Sequence, residues 1–239
     1  MSGHSKWANI KRKKGLNDAA RSNVFTKMAR LITSAVLEGG GIPDPVHNFK
    51  LRLAVDRAKA VNMSKDTIQR AIDKGSGVNA VKMKEVMYEG FGPGNSALII
   101  TALTDNPNRT VPDVKHALDR NGGKLASPNA VSYLFQHCGV LELSQEAVNQ
   151  EQAFEIFDQL SGIDFEEAET SYVMYIPFEK IKNVKEILGS IEPLSLDVYY
   201  LPLSPIAVDT SVSTKVEQLI EKLEDLEDIQ AVYSNIIEA

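Results

Sequence analysis

Five cationic side chains, Lys6, Lys11, Arg12, Lys13 and Lys14, fall within nine residues near the start of the chain, with His4, Trp7 and Asn9 close by. Unpaired cations resist desolvation, so such a segment either stays in water or meets a polyanion. Lys and Arg bind nucleic acid by displacing the counterions that phosphates hold. Trp7 is the one tryptophan of the sequence. An indole beside phosphate-binding cations offers a face on which a base stacks. The same indole has an alternative use as an anchor that holds the segment on the elements behind it. His4 offers a ring nitrogen to a phosphate or a base, and Asn9 either reads a base edge or caps a short helix. A solubilising tail is the plain alternative for the whole run. The chemistry these residues support is binding, not bond making.

No catalytic set accompanies them. The chain has no Gly-x-x-x-x-Gly-Lys loop, no His-Glu-x-x-His and no Gly-x-Ser-x-Gly. Its four histidines, His4, His47, His116 and His137, lack metal-ligand spacing. His137 and Cys138 are neighbours, but adjacent residues on a strand point to opposite faces. One cysteine rules out an intramolecular disulfide and a thiolate-rich zinc site. Cys138 reads as a small buried apolar side chain. We therefore expect no enzymatic activity, no metal and no cofactor.

The 239 residues carry a net charge of −6 with 43% hydrophobic and 24% charged side chains, ordinary for a globular protein. That net value hides a split. Residues 1–75 hold 15 Lys+Arg and 6 Asp+Glu, a net +9, and residues 76–239 hold 11 and 26, a net −15. Asymmetry of this size points to one region that meets a polyanion. Within the remainder, 76–138 is +1, 139–204 is −10 and 205–239 is −6. No apolar run approaches the ~18 residues that would cross a bilayer, and residues 1–15 lack the apolar stretch of a signal peptide. The expectation is a cytoplasmic protein with no membrane partner.

The elements that would position the cations come next. Ala20, Val24, Met28, Leu31, Ile32 and Ala35 recur at helical spacing and predict a helix over 17–38, closed by Gly39-Gly40-Gly41. A second helix is predicted over 46–61, and a third over 65–74 behind the cap Ser64, stopping at Gly75. Arg21, Lys27 and Arg30 lie off the first apolar stripe. Lys65, Gln69, Arg70 and Lys74 face outward on the third helix. These cations extend a positive face. The short turn between the second and third helices fits either a helix-turn-helix reader or an ordinary helical hairpin.

Beyond residue 77 the period changes to that of strands. Strands are predicted at 85–89, 97–103, 130–136 and 140–143, with a helix behind Thr110 as N-cap running to about Arg120. The loop 105–110 carries Arg109, a donor to RNA or a partner, or the structural mate of Asp105. Residues 139–204 then read βαββαβ, with a helix at 145–160, strands at 165–169 and 172–176, a helix at 178–189 and a strand at 196–201; this is the ferredoxin-like pattern. A strand at 206–208, a helix at 212–226 and a strand at 231–236 close the chain. The segments 97–136 and 206–236 are each incomplete, and joined they complete a second sheet. The fold class expected is α+β: a helical N-terminal domain followed by two ferredoxin-like α/β domains, one inserted into the other. The boundaries expected are 1–77, 78–138 plus 205–239, and the inserted 139–204.

Gly3-His4-Ser5-Lys6-Trp7-Ala8-Asn9-Ile10-Lys11 resembles the opening signature of the YebC/PmpR family, which includes mitochondrial translational activators of cytochrome oxidase subunit I. Phe25-Thr26-Lys27, Asn62-Met63-Ser64-Lys65-Asp66, Tyr88-Glu89-Gly90-Phe91-Gly92-Pro93-Gly94, Thr104-Asp105-Asn106-Pro107-Asn108-Arg109-Thr110 and Leu226-Glu227-Asp228-Ile229-Gln230-Ala231-Val232-Tyr233 follow the family pattern in order. The resemblance spans the chain and is loosest over 139–204. It implies a helical domain and two α/β domains, and a regulator that binds DNA or, in other members, acts on translation through the ribosome or messenger RNA.

The sequence thus leads to a non-enzymatic nucleic-acid-binding regulator, a DNA-binding transcriptional regulator by family description. A translation factor on ribosomal RNA is the alternative, because a Trp-plus-lysine segment suits irregular or single-stranded RNA. A third reading is an adaptor whose acidic α/β domains hold a basic protein partner.

Overall fold

The computed structural model describes residues 20–77 and 83–238. Its chain divides into two compact units, one built from 20–136 with 200–239 and the other from 137–199.

The first unit opens with three helices, α1 (Ala20–Glu38), α2 (Phe49–Ala60) and α3 (Lys65–Ser76). Ile32, Ala35 and Val36 of α1 share one core with Leu51, Ala54, Val55 and Ala58 of α2 and Ile68, Ala71 and Ile72 of α3. The caps follow from local chemistry. The Asn48 side chain accepts from Leu51 N at 3.1 Å, and its amide donates back to Ala35 O at 2.8 Å. Asn48 therefore starts α2 at Phe49, three residues later than the apolar pattern suggests. Ser64 caps α3 by accepting from Thr67 N at 3.3 Å. Gly75 does not end α3. It is buried against α1, where a Cβ would lie 2.8 Å from Thr33 O and from Val36 Cβ. Thr33 Oγ1 donates to Ala71 O at 3.0 Å across the same close approach.

The rest of this unit is a sheet of order β3-β1-β2-β9, formed by β1 (Lys84–Phe91), β2 (Ala97–Thr104), β3 (Lys124–Leu125) and β9 (Ile229–Ser234). Each of these neighbouring pairs is antiparallel. Helices α4 (Pro107–Arg120) and α7 (Thr210–Glu224) bury Val114, Leu118, Val216, Leu219 and Leu223 against Tyr88, Leu98 and Ile100 on one face. Ala97 and Ile99 meet Val131 and Phe135 on the other. Strand β2 is covered on both sides, which is why it reads as a mostly apolar run interrupted only by Thr101 before Thr104. A parallel pair, β8 (Ile206–Val208) and β10 (Ile236–Glu238), completes the unit.

The strand expected at 130–136 is not formed there. Asn129, Val131 and Ser132 donate their backbone N–H groups to the buried Glu89 carboxylate at 2.6, 2.6 and 2.9 Å. This pins 129–132 as a loop, and β4 (Phe135–Ser144) runs as one strand in place of two. Burial pushes the Glu89 carboxyl up, but the three N–H donors outweigh it and hold its pKa below the ordinary value.

The second unit has strands in the order β5-β6-β4-β7, with β5 at Asp164–Glu167, β6 at Ser171–Pro177 and β7 at Ser195–Pro202. Helix α5 (Gln150–Gln159) carries a reciprocal capping box between Asn149 and Gln152 and starts five residues later than expected. A 3-10 turn at Phe178–Asn183 leads into α6 (Val184–Leu188), where one continuous helix was expected. The order places the second, third, first and fourth strands of a βαββαβ chain side by side, the ferredoxin-like arrangement. The first sheet has the same layout with one change. Strands β2, β3 and β9 take the first, second and fourth places, and the third is filled by β1, which comes first in sequence. The chain is therefore α+β, a helical region followed by two ferredoxin-like sheets.

Gly75→Val is expected to cost about 2 kcal/mol of stability through overpacking against α1, read as a lowered urea midpoint with an unchanged m-value.

Candidate nucleic-acid interface

His4, Lys6, Trp7, Asn9, Lys11, Arg12, Lys13 and Lys14 lie outside the described residues. Arg21 sits near the start of α1. The remaining expected contacts separate into two groups.

Lys65 and Arg70 are exposed on α3, as is Lys74. The turn-to-turn spacing of α3 buries Ile68, Ala71, Ile72 and Gly75. That leaves the arc from Lys65 to Lys74 for solvent. Gln69 on this arc donates to Asp73 at 2.8 Å. Three cations of α2, Lys50, Arg52 and Lys59, have carboxylate or aromatic neighbours. Lys50 bonds Glu38, Lys59 pairs with Asp56 at 3.4 Å, and the Arg52 guanidinium lies 5.3 Å from the centre of the Phe49 ring. Guanidinium and ammonium groups on an exposed helical arc can donate to phosphate oxygens without a dedicated pocket.

Lys27 and Arg30 do not join that face. The structure turns both inward, a correction to the outward placement read from the sequence. Lys27 is buried and its amine bonds the Glu224 carbonyl. Arg30 pairs with Glu227 at 3.0 Å and with Asp228 at 2.8 Å. Their partners are nearly 200 residues away in sequence, so no local pattern could have revealed them.

Asp228 is the centre of this arrangement. It is buried, and its carboxylate accepts from Thr110 Oγ1 at 2.7 Å, Thr104 Oγ1 at 3.0 Å, Arg30 Nη2 at 2.8 Å and Arg109 Nη2 at 3.3 Å. Burial pushes the Asp228 carboxyl up. The hydroxyls of Thr110 and Thr104, the Arg109 guanidinium and the charge of Arg30 outweigh it and hold its pKa below the usual carboxylate value. Thr110 is thus not the N-cap of α4. The helix begins at Pro107, and Thr110 lies inside it with its hydroxyl on Asp228. Arg109 also bonds Asp105 at 3.0 Å, the structural pairing that the sequence left open. Arg109, Thr110, Asp113, Leu226, Glu227 and Asp228 line a cavity of about 310 Å³. Three carboxylates against one guanidinium make it unsuited to a phosphate. Sequence reading missed the roles of Thr104, Thr110 and Asp228. The signal available was a lone Asp ahead of the apolar Ile229 strand, which needs donors once buried.

Among the described residues no cluster of three or more His, Cys, Asp or Glu side chains could hold a metal ion. No described helix is long and apolar enough to cross a membrane.

Residues 5–78 match the TACO1/YebC protein N-terminal domain, and residues 83–236 match the TACO1/YebC second and third domain. The chain belongs to the TACO1/YebC family. A TACO1/YebC relative from Halorhodospira halophila, named "Probable transcriptional regulatory protein", is 43% identical over 98% of this chain and 96% of its own length. One from Chlorobium chlorochromatii with the same name is 42% identical over 99% and 95%. The crystal structure of a conserved hypothetical protein from Aquifex aeolicus superposes with a TM-score of 0.80 at 34% identity, covering 93% of this chain and 92% of that one. The family is thus one of regulatory proteins by name, and the YebC-like fold is shared.

Asp228→Ala strands Arg30 and two hydroxyls. It is expected to lower stability by about 3–5 kcal/mol, measured by denaturant unfolding at pH 7. The folded carboxyl titrates below its unfolded value of about 3.9. Its contribution is therefore present above about pH 4 and is lost as pH falls through the folded pKa. The gap between parent and variant should close in acid, and an unchanged gap down to pH 2 would contradict the assignment.

Proposed function

We propose that the chain is a non-enzymatic regulator that binds nucleic acid through its N-terminal region and acts in the cytoplasm as a DNA-binding transcriptional regulator. The observation that carries this reading is the charge division, +9 over residues 1–75 against −15 over the remainder. The names of the relatives support transcription. In this reading Lys6, Lys11, Arg12, Lys13 and Lys14 neutralise phosphates, and His4, Trp7 and Asn9 lie against sugar or base. Arg21, Lys65 and Arg70 extend the contact along the helical region. Lys27 and Arg30 are left out of the contact set, since their charges are committed to Glu224, Glu227 and Asp228. The three-part division into 1–77, 78–138 plus 205–239, and 139–204 assigns binding to the first part. The acidic parts face away from the polyanion or hold a basic protein.

Ribosomal RNA is the second reading, favoured by the single tryptophan among the lysines, since unpaired bases stack on aromatic rings. The two readings part in one experiment. The protein is captured in parallel by duplex DNA and by ribosomes over a salt series. Retention only by ribosomes sinks the transcriptional reading, and retention only by DNA sinks the translational one. For duplex DNA the logarithm of the binding constant falls by about 0.9 per neutralised phosphate for each logarithm of salt. The Lys11, Arg12, Lys13, Lys14→Ala variant is expected to reduce that slope by about 3–4. Lys27→Ala should lower thermal stability and leave the slope unchanged. A four-alanine variant that binds like the parent removes the N-terminal segment from the interface.

A further inference from the structure

Residues 137–179 contain ten carboxylates and no lysine or arginine. Within this stretch the sheet of the 137–199 unit ends at β5, which pairs with β6 on one side and with no described strand on the other. Ala168 N donates to Ser171 O at 2.9 Å. Alternation along the antiparallel pair then turns the backbone N–H and C=O groups of Phe165 and Glu167 to the open edge. There the Phe165 N–H is met by the Asp164 carboxylate of its own strand at 2.9 Å.

Beside that edge stands an aromatic cluster. Phe165 stacks on Phe154 of α5 at 4.6 Å and 19°, meets Phe157 edge-on at 5.7 Å and lies 5.7 Å from Tyr172. Phe157 is pressed onto Gly162, where a Cβ would lie 1.9 Å from its ring, and Tyr172 is buried. The cluster is fixed from within, yet its outer ring, Phe154, is 45% exposed. Carboxylates border that ring. Glu151 and Asp158 sit one turn before and one turn after Phe154 on α5. Glu167 follows Phe165 by two residues and shares its side of the strand. All three are exposed and pair with no cation among the described residues. Charge by itself protects a free edge from stray strands, whereas a stacked phenylalanine left in water beside the edge invites a partner.

We propose that the β5 edge and the Phe154–Phe165 stack form one docking surface for an extended, lysine- or arginine-rich segment of a partner protein. The segment adds to the sheet as a strand beside β5, bonding the backbone of Phe165 and Glu167. It lays one apolar side chain on the Phe154 ring and sets its cations against Glu151, Asp158 and Glu167. Charge complementarity selects this occupant. A polyanion is repelled by the same carboxylates. A second copy of the chain that added β5 to β5 would set carboxylate against carboxylate. A free amine offers the edge no backbone and leaves the ring uncovered. The proposal rests on the part of the reading above that gives the acidic region a basic protein, and not on nucleic-acid contact.

The test titrates the full-length, isotope-labelled protein with a synthetic peptide, acetyl-Gly-Lys-Leu-Lys-Val-Lys-Gly-amide, and follows the backbone amides by NMR with no nucleic acid present. A counterpart with glutamine for each lysine is the control. The expected result is perturbation centred on residues 151–158 and 163–169, with affinity for the lysine peptide that falls as sodium chloride is added. Phe154→Ala should weaken binding by about tenfold. The triple substitution Glu151→Gln, Asp158→Asn, Glu167→Gln should reduce it to that of the glutamine peptide. All four positions are exposed, and far-UV circular dichroism checks that the variants are folded. No perturbation by the lysine peptide, or perturbation centred elsewhere, overturns the proposal. Equal binding of the glutamine peptide overturns it too, by removing the charge. Concentration-dependent shifts of the same amides without peptide overturn it in favour of a second copy. Each of these failures is distinct from failure of the nucleic-acid reading, which capture by DNA and ribosomes reports.

Discussion

A single buried carboxylate organises the first unit. Asp228 sits where the chain leaves α7 for β9, and it gathers hydroxyls from the end of β2 and from α4 with guanidinium groups from α1 and α4. Three elements, α1, β2 and α4, meet at its two oxygens. A buried anion is tolerable only when its lone pairs are filled and its charge is matched. Each of those donors is therefore held in place by the same requirement. The helical region is fastened to the sheet here, through Arg30 and Lys27, and not through apolar packing alone. Two cations that would otherwise add to the positive face become part of the scaffold.

Glu89 applies the same physics to a loop. One carboxylate takes three backbone N–H groups from residues some 40 positions ahead. It replaces the ladder that a strand at 130–136 would have made. Both sites show polar side chains fixing backbone where hydrophobic patterning is silent. Both use residues that lie in motifs of the family signature, which gives those motifs a structural reason independent of any ligand.

The legibility of the sequence follows this division. Helix α3 could be read closely, because Ser64, Asp66 and the Ile68, Ala71, Ile72 spacing are local signals that agree with one another. The βαββαβ order of 137–199 was readable for the same reason. The two residues of β3 are too few to carry a period. Thr110 looked like a cap because a threonine ahead of an apolar helix usually is one, and only the fold brings Asp228 to it. The cations of α1 looked outward-facing because an amphipathic helix puts charge opposite its apolar stripe. That rule holds until another element supplies a partner. The exposed arc of α3 was foreseen, whereas the pairing of Lys27 and Arg30 needed contacts across nearly the whole chain.

The early position of β1 has a consequence for the order in which this chain can assemble. The β1–β2 hairpin is local and needs no residue beyond 104 to pair. The other edge of β2, with Leu98, Ile99 and Ile100, waits for β9, about 130 residues later. The whole 137–199 unit is synthesised in the interval. During synthesis the chain therefore carries an unpaired, largely apolar strand edge, the kind of surface on which strands of other chains add. The permuted sheet gains an early nucleus at the cost of a long window in which that edge needs shielding.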